Sequence, residues 1–127
     1  MSATPMTAGE TRTVTIAAAT FDNHTGVLLQ PGITYQLRAH GTWCDASIKC
    51  GPDGHDAAKL RSFRWMRRAP RENWFALIGH AAGQTFPIST AATITPAKAG
   101  ELLCYANDVP FMYWNNKGSV TLTIVRT

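Results

Sequence analysis

Apolar and polar residues alternate along several short segments of the chain, which is the pattern of a β-strand with one buried face. In residues 119–124, Val, Leu and Ile alternate with Ser and Thr, so one face of that segment is apolar. Residues 74–78 and 101–106 are almost continuously apolar, which indicates strands in the middle of a sheet. Four further segments are predicted to be strands; they are 11–16, 27–29, 34–40 and 92–95.

Turn-forming residues separate these segments. Gln30-Pro31-Gly32 is a strong turn signal, because proline fixes φ and glycine permits a positive φ. Similar signals occur at 51–54, 96–100 and 115–118. Short strands at regular spacing with turns between them predict an all-β fold, a single-domain antiparallel β-sandwich of the jelly-roll type.

The length and composition agree with one such domain. The chain has 127 residues, of which 45% are hydrophobic, enough for a single core. Charged residues make up only 16%, so Thr, Ser, Asn, Gln and Gly must form much of the surface, as suits a β-protein. We expect one domain over 1–127, with 1–10 flexible. Residues 51–73 are expected to form a long basic loop, or to contain a short helix at about 57–68.

Nothing in the sequence indicates a membrane span or a secretory signal. No apolar run approaches the ~20 residues that a membrane-spanning helix needs, and residues 1–10 contain neither a basic region nor an apolar stretch. The three cysteines are an odd number, which does not fit a disulfide scaffold. Cys104 lies in an apolar run and is expected to be buried, whereas pairing of Cys44 with Cys50 is left open. We expect a cytoplasmic protein with reduced thiols.

The net charge of +4 comes from one segment rather than from the whole surface. Residues 59–71 contain six basic and no acidic residues, and the remaining six basic and eight acidic residues sum to −2. A uniformly basic surface for nucleic acid is therefore not indicated. With Phe63 and Trp65 among them, the basic residues fit either an anionic ligand or a surface that covers apolar residues, such as a subunit interface. The basic residues of the segment are Lys59, Arg61, Arg64, Arg67, Arg68 and Arg71.

The segment 107–118 carries the residues best suited to binding chemistry. It contains the carboxylate of Asp108 and the carboxamides of Asn115 and Asn116, with proline and glycine between and after them. Calcium takes about six to eight oxygen ligands from carboxylates, amide side chains and backbone carbonyls, and this segment offers all three kinds. The EF-hand pattern is absent. Because Asp, Asn and Gly are also ordinary turn formers, composition alone leaves both interpretations open.

The sequence does not indicate an enzyme. A glycoside hydrolase needs a pair of carboxylates on either side of a cleft, and Asp108 alone among the eight acidic residues lies in a polar cluster. No nucleophile elbow, His-x-x-x-His pair or phosphate-binding loop is present. We therefore expect a binding protein without catalytic residues.

The segment 107–118 resembles the calcium loop of the bacterial galactose-binding soluble lectins of the PA-IL (LecA) type. Their signature is close to Tyr-Asn-Asp-Val-Pro, two residues, Tyr, one residue and then Asn-Asn-x-Gly. The residues that match at the same spacing are Asn107, Asp108, Val109, Pro110, Tyr113, Asn115, Asn116 and Gly118. Weaker matches at 41–43, 51–54, 76–79 and 118–124 extend the resemblance over most of the chain.

The resemblance implies a calcium-dependent lectin with a galactose-binding-like sandwich that recognises terminal galactose. In that family a calcium ion on the loop is itself part of the sugar site, and two vicinal hydroxyls of galactose complete its coordination. By position, the side-chain oxygens of Asp108, Asn115 and Asn116 and the backbone oxygen of Met112 would bind calcium.

A second backbone ligand is implied at the end of the strand that precedes Gly51. Counting back from Gly51 assigns this oxygen to Cys44, with Trp43 and Asp45 as alternatives one residue away. The residues implied in contacts with the sugar are Asp108, Asn115, Asn116, His55 and Trp114.

Two of these sugar contacts lie where the sequence departs from the family. His55 is the nearest counterpart of a histidine that the family places in its long central loop; a solvated loop histidine is the alternative. Phe111 and Trp114 stand where the best-known member has glycines. Trp114 either forms a wall against which a sugar stacks or packs the loop onto the sandwich.

Members of that family assemble into tetramers, so the resemblance implies a homo-oligomer that binds galactose-containing glycans or glycoconjugates. We expect no nucleic-acid partner and no membrane insertion, and release from the cytoplasm by a non-classical route. The alternative is a jelly-roll domain with an altered calcium site, which binds a different glycan, or an anionic ligand through residues 59–71.

Overall fold

The computed structural model describes residues 2–56, 63 and 65–127. Each of the seven predicted strands is present, to within one residue at its ends or as part of a longer strand. A short 3-10 helix, Tyr113–Asn115, leads directly into the last strand. The strands are β1 (Thr4–Pro5), β2 (Thr11–Ala17), β3 (Asn23–Leu29), β4 (Tyr35–Asp45), β5 (Ile48–Cys50), β6 (Asp53–His55), β7 (Trp74–Ala81), β8 (Gln84–Pro87), β9 (Ala91–Ile94), β10 (Gly100–Ala106) and β11 (Asn116–Arg126).

The strands form two sheets that pack face to face, which confirms the predicted β-sandwich. One sheet has the order β1-β3-β10-β7-β6, and β8 also pairs with β7; the other has the order β2-β11-β4-β5, and β9 also pairs with β4. Paired strands are antiparallel apart from β1 and β3, which are parallel. The almost continuously apolar segments 74–78 and 101–106 lie in the inner strands β7 and β10, as predicted.

The hydrophobic core lies between the two sheets. Its residues come from inward-facing strand positions, as in β11, where Val120, Leu122 and Ile124 are buried and the residues between them are partly exposed. Trp43 of β4 and Phe75 of β7 meet edge to face, with ring centroids 5.6 Å apart. This contact closes the core at the end of the sandwich where β4 ends and β7 begins.

The three cysteines are free thiols. In the β4–β5 pair Cys50 lies opposite Trp43 and Cys44 lies opposite Lys49, so the two thiols point to opposite faces of the sheet and do not form a disulfide. Cys104 is fully buried, as predicted. Burial raises the pKa of the Cys50 thiol to about 12, and this side chain packs against the core.

Residues 2–10 are held against the sandwich, whereas the sequence predicts a flexible segment at 1–10. Met6 is buried in the core, and β1 pairs with β3. The guanidinium of Arg12 donates to the backbone oxygens of Thr4 and Pro5, at 3.1 and 2.9 Å. A two-residue strand that contains proline has no periodic pattern, so the sequence does not reveal this attachment.

The predicted turn at 115–118 is wrong, because most of this segment is the start of β11. It pairs with the end of β4, and Asn116 lies opposite Asp45. Gly118 has a φ of 83°, and a Cβ atom there would lie 3.2 Å from the Cα atom of Trp43. The glycine therefore allows a close approach of two strands rather than a reversal of the chain.

The segment 51–73 is not a loop throughout. Asp53–His55 form β6, which pairs with the start of β7. Gly54 is required for this approach, since a Cβ atom there would lie 2.1 Å from the backbone oxygen of Trp74. The predicted alternative of a helix at 57–68 lies largely outside the described residues. In the part of the chain that is described, no helix is long and apolar enough to cross a membrane.

Candidate functional site

The polar residues that follow β10 lie at one end of the sandwich. Asn107 and Asp108 come directly after β10, while Asn115 ends the 3-10 helix and Asn116 begins β11. The end of β4 lies beside them, because the β4–β11 register places Asp45 opposite Asn116. Two strand ends and one strand start therefore meet here.

Three side-chain oxygens at this end are buried and accept no hydrogen bond: Asp108 Oδ2, Asn115 Oδ1 and Asn116 Oδ1. Among the described residues, every other buried side-chain atom in this condition is a nitrogen. Asp108 and Asn116 are each only 4% exposed. An unpaired buried acceptor costs roughly 1–3 kcal/mol, and most are paired in folded proteins. Three together indicate a place for a cation or a hydrogen-bond donor.

In Asp108 and Asn116 the other polar side-chain atom is paired, which fixes the direction of the unpaired oxygen. Val109 N donates to Asp108 Oδ1 at 2.7 Å. Asn116 Nδ2 donates to the backbone oxygen of Ala18 at 3.0 Å. The acceptors are therefore oriented before any ligand arrives, which reduces the entropy lost on binding.

Burial raises the pKa of the Asp108 carboxyl to about 6. The Val109 N–H and the Asn116 side-chain amide act in the opposite direction, and the nearby Asp45 carboxylate adds to the rise in pKa. Within the described part of the chain, no lysine or arginine forms an ion pair with Asp108. A cation bound beside this carboxylate would offset the cost of burying its charge.

A cavity of about 410 Å³ opens beside these oxygens. Asp45, Asp108 and Asn115 line its polar side. Trp74 contributes an indole N–H that is buried without an acceptor. A few polar groups among mostly apolar walls suit a small molecule that has hydroxyl groups and an apolar face. The apolar walls include Ile48, Phe63, Met66, Trp74, Phe111 and Met112.

Asn107 has a role that sequence reasoning missed. It is fully buried, and its side chain makes four hydrogen bonds to backbone groups 34 to 38 residues earlier. Its Oδ1 accepts from Ala69 N at 2.9 Å, and its Nδ2 donates to the oxygens of Ala69, Glu72 and Asn73. Asn107 thus fastens the segment before β7 to the sandwich, beside the cavity. No local pattern could have indicated this, because its partners are distant in the chain.

Arg68 fastens the same segment at a second point. Its backbone N–H donates to the backbone oxygen of Asp108 at 3.0 Å. Its guanidinium forms an ion pair with Asp22 at 2.7 Å and lies over the rings of Phe21 and Tyr105, 3.7 and 3.5 Å from their centroids. This arginine is engaged inside the protein rather than presented to a ligand.

The rest of the basic segment is described only in part. Arg67 is buried, and its guanidinium lies 5.1 Å from the centroid of the Trp74 ring. Arg71 is exposed. Arg67 and Arg68 therefore cover aromatic rings. This agrees with the interpretation that the basic residues cover apolar surface rather than bind an anionic ligand. Lying outside the described residues are Lys59, Arg61 and Arg64.

Only some of the residues predicted to bind calcium through a backbone oxygen line the cavity. Met112 lines the cavity. Cys44 does not; it lies opposite Lys117, one position beyond the site. Trp43 is buried in the core, whereas Asp45 lines the cavity. Of the three alternatives for the second backbone oxygen, Asp45 is the residue that the structure brings to the cavity.

The two predicted sugar-contacting residues outside the polar cluster, His55 and Trp114, differ in their exposure to solvent. His55 is not a solvated loop histidine, because its Nε2 lies 3.1 Å from Asp45 Oδ2 and both side chains are largely buried. Trp114 is 77% exposed and Phe111 is 68% exposed. Neither ring is buried against the sandwich. Both are presented to solvent on the segment that borders the cavity.

The described residues contain no group of three or more His, Cys, Asp or Glu side chains that could hold a metal ion. The oxygens gathered at this end come mainly from amides and one unpaired carboxylate. Such a donor set suits a hard cation such as calcium, whereas zinc sites are usually built from thiolates and imidazoles.

Comparison with known proteins identifies a similar fold. No protein-family model matches the chain, and no curated protein matches it. A solved structure described as "EclA N-terminal domain; PllA-like lectin" is similar with a TM-score of 0.73 and 17% sequence identity, over 91% of this chain and 95% of that one. At this identity the likeness concerns the fold. The chain therefore has the β-sandwich fold of a PllA-like lectin domain.

Proposed function

We propose that this protein is a calcium-dependent lectin that binds terminal galactose and has no catalytic activity. The proposal rests on the buried, unpaired oxygens of Asp108, Asn115 and Asn116 at the edge of a cavity. These residues fit calcium, because this ion takes carboxylate and amide oxygens in a flexible geometry. The lectin fold of a similar structure and the sequence resemblance of the 107–118 segment support the same function.

The side-chain oxygens of Asp108, Asn115 and Asn116 would hold the ion, together with the backbone oxygens of Met112 and Asp45. Bound calcium supplies a positive centre that polarises the hydroxyl oxygens of the sugar. The carboxylate and amide oxygens would accept hydrogen bonds donated by the sugar hydroxyls. Water competes well with any single sugar hydroxyl for a position on the ion. Selectivity among sugars therefore depends on binding two neighbouring hydroxyls at one ion, because only hydroxyls with the right relative orientation fit.

Aromatic residues would contact the apolar face of the same sugar. Phe111 lines the cavity, and Trp114 is exposed three residues later on the same segment. Both rings can stack on the C–H groups of a pyranose. His55, held by its contact with Asp45, would approach the sugar from β6. The polar side of the cavity then binds the hydroxyls while the aromatic side excludes water from them.

A single shallow site of this kind binds a monosaccharide weakly, with a Kd on the order of μM to mM. We propose that the chain forms a homotetramer, as in the family that its sequence resembles. Repeated sites raise the avidity for multivalent galactose-containing glycans without any new contact. Size-exclusion chromatography with light scattering would measure the oligomeric state.

The test is calorimetric titration of galactose into the protein in calcium buffer, repeated with excess EDTA. We expect binding that requires calcium and that is lost in Asp108→Ala. Asp53→Ala is the matched control, since it removes an exposed carboxylate outside the cavity. It should bind as the wild type does. Galactose binding that persists in EDTA, or calcium binding without galactose binding, would contradict the proposal.

Binding of an anionic ligand by residues 59–71 is the alternative function. It is less well supported, because Arg67 and Arg68 are already engaged with aromatic rings inside the protein. Salt separates the two functions. Affinity for a polyanion falls steeply as salt rises, whereas contacts between a bound ion and sugar hydroxyls should change little.

A further inference from the structure

Asp45 ends β4 at the edge of the cavity, and the function proposed above uses only its backbone oxygen. The residue is 9% exposed and lies opposite Asn116 in the β4–β11 pair. It lines the cavity together with Asp108. Two carboxylates therefore share one small and mostly apolar space.

Neither carboxylate is in an ion pair with a lysine or arginine of the described chain. Asp45 Oδ2 lies 3.1 Å from Nε2 of His55. Two like charges in an apolar space repel each other, and each loses hydration on burial. One multivalent cation bound between them would offset both costs.

We propose that the Asp45 carboxylate is itself a ligand of the cation, beside Asp108, Asn115 and Asn116, and that His55 positions it. This inference rests on the proposed function, because it concerns the same ion. The sequence resemblance implies one carboxylate at the site. With Asp45 the site carries two negative charges, which balance the charge of calcium and favour multivalent hard cations over monovalent ones.

Terbium(III) is a suitable probe, because it takes the oxygen ligands of calcium and its emission is sensitised by nearby tryptophan. Trp74 lines the cavity. Emission lifetimes in H₂O and D₂O give the number of water molecules on the bound ion, so a lost protein ligand is detected as added water. The affinity for calcium is then measured by competition with terbium.

We expect Asp45→Ala to add about one or two waters to the bound ion and to weaken calcium binding by at least about 100-fold. This variant keeps the backbone oxygen, so a role for that oxygen alone predicts no added water. His55→Ala keeps the carboxylate and should add no water, although affinity falls by about 10-fold. Asp53→Asn removes a negative charge outside the cavity and should change neither quantity.

An unchanged number of waters in Asp45→Ala would overturn the inference, whether or not the affinity falls. Circular dichroism checks that the variant folds. If it does not, Asp45→Asn keeps the shape of the side chain, and a calcium affinity equal to that of the wild type would overturn the inference. Failure of the wild-type protein to bind either calcium or terbium would instead reject the proposed calcium lectin.

Discussion

Asn107 and Asp108 are adjacent in the chain and similarly buried, yet their hydrogen bonding is opposite. The polar atoms of the Asn107 side chain are all paired. Asp108 has one carboxylate oxygen without any partner. Equal burial therefore does not imply an equal role. The completeness of the hydrogen bonds distinguishes Asn107, which stabilises the fold, from Asp108, which we propose binds a ligand.

The same contrast divides the surroundings of the cavity. Arg68 and Asn107 use their polar groups to hold one segment against the sandwich. Asn115 and Asn116 keep an oxygen unpaired. Variants of the first kind should lower stability with or without calcium, and variants of the second kind should matter only when the ligand is present.

Asn107→Ala should have the largest effect on stability. It should lower the free energy of unfolding by about 3–5 kcal/mol, because several backbone groups lose their partners and a cavity opens. Urea denaturation should give the same loss in calcium and in EDTA. Asn73→Ala, at an exposed residue, is the control and should change stability by less than about 0.5 kcal/mol. Equal effects of the two substitutions would contradict a structural role for the Asn107 side chain.

Asp108→Asn should change stability only through calcium. In EDTA the free energy of unfolding should stay equal or rise, because the variant removes a buried charge without a cationic partner. In calcium the variant should lack the stabilisation that the ligand gives the wild type, about 2.7 kcal/mol at a concentration of 100 times the Kd. Thermal unfolding in both buffers measures the two quantities. A large loss in EDTA would place Asp108 with the residues that stabilise the fold.

Arg68→Gln should lower the free energy of unfolding by about 2 kcal/mol in either buffer, because the ion pair with Asp22 and the contacts with two rings are lost. The backbone hydrogen bond to Asp108 remains, so calcium affinity should change less than stability. Arg71→Gln, at an exposed arginine, is the matched control. If calcium affinity falls while stability is unchanged, Arg68 contributes to ligand binding rather than to the stability of the fold.

Trp114→Ala should have the smallest effect on stability, within about 0.5 kcal/mol, because the ring is largely exposed. Calorimetry should instead detect weaker galactose binding with unchanged calcium binding, since the ring would stack on the sugar and does not touch the ion. Phe21→Ala provides a contrast, because that ring contacts Arg68 and Tyr113. If Trp114→Ala destabilises the protein as Phe21→Ala does, the loop tryptophan has a packing role.

The fold could be predicted from the sequence wherever the pattern is local and repeated. Alternation over six residues identifies the core-facing side of β11 without knowledge of its partners. β1, β5 and β6 have two or three residues each, too few to show a period, and they form because longer strands offer them an edge.

The site could be predicted only for residues that are close in the chain. The spacing of the 107–118 segment indicates Asp108, Asn115 and Asn116. Each of the three has an unpaired buried oxygen, and Asp108 and Asn115 line the cavity. The place of Asp45 at the cavity could not be fixed, because it depends on the register between two distant strands. The role of Asn107 depends in the same way on a segment far back in the chain.

Phe111 and Trp114 are exposed on a short segment whose two ends are held by buried residues, Asn107 and Asn116. Exchange of either aromatic side chain should therefore leave the backbone in place. Under the proposed lectin function, variation at these two positions would change which glycan is preferred while the anchoring residues stay constant. A combinatorial library restricted to these two codons would then test glycan specificity at little risk to folding.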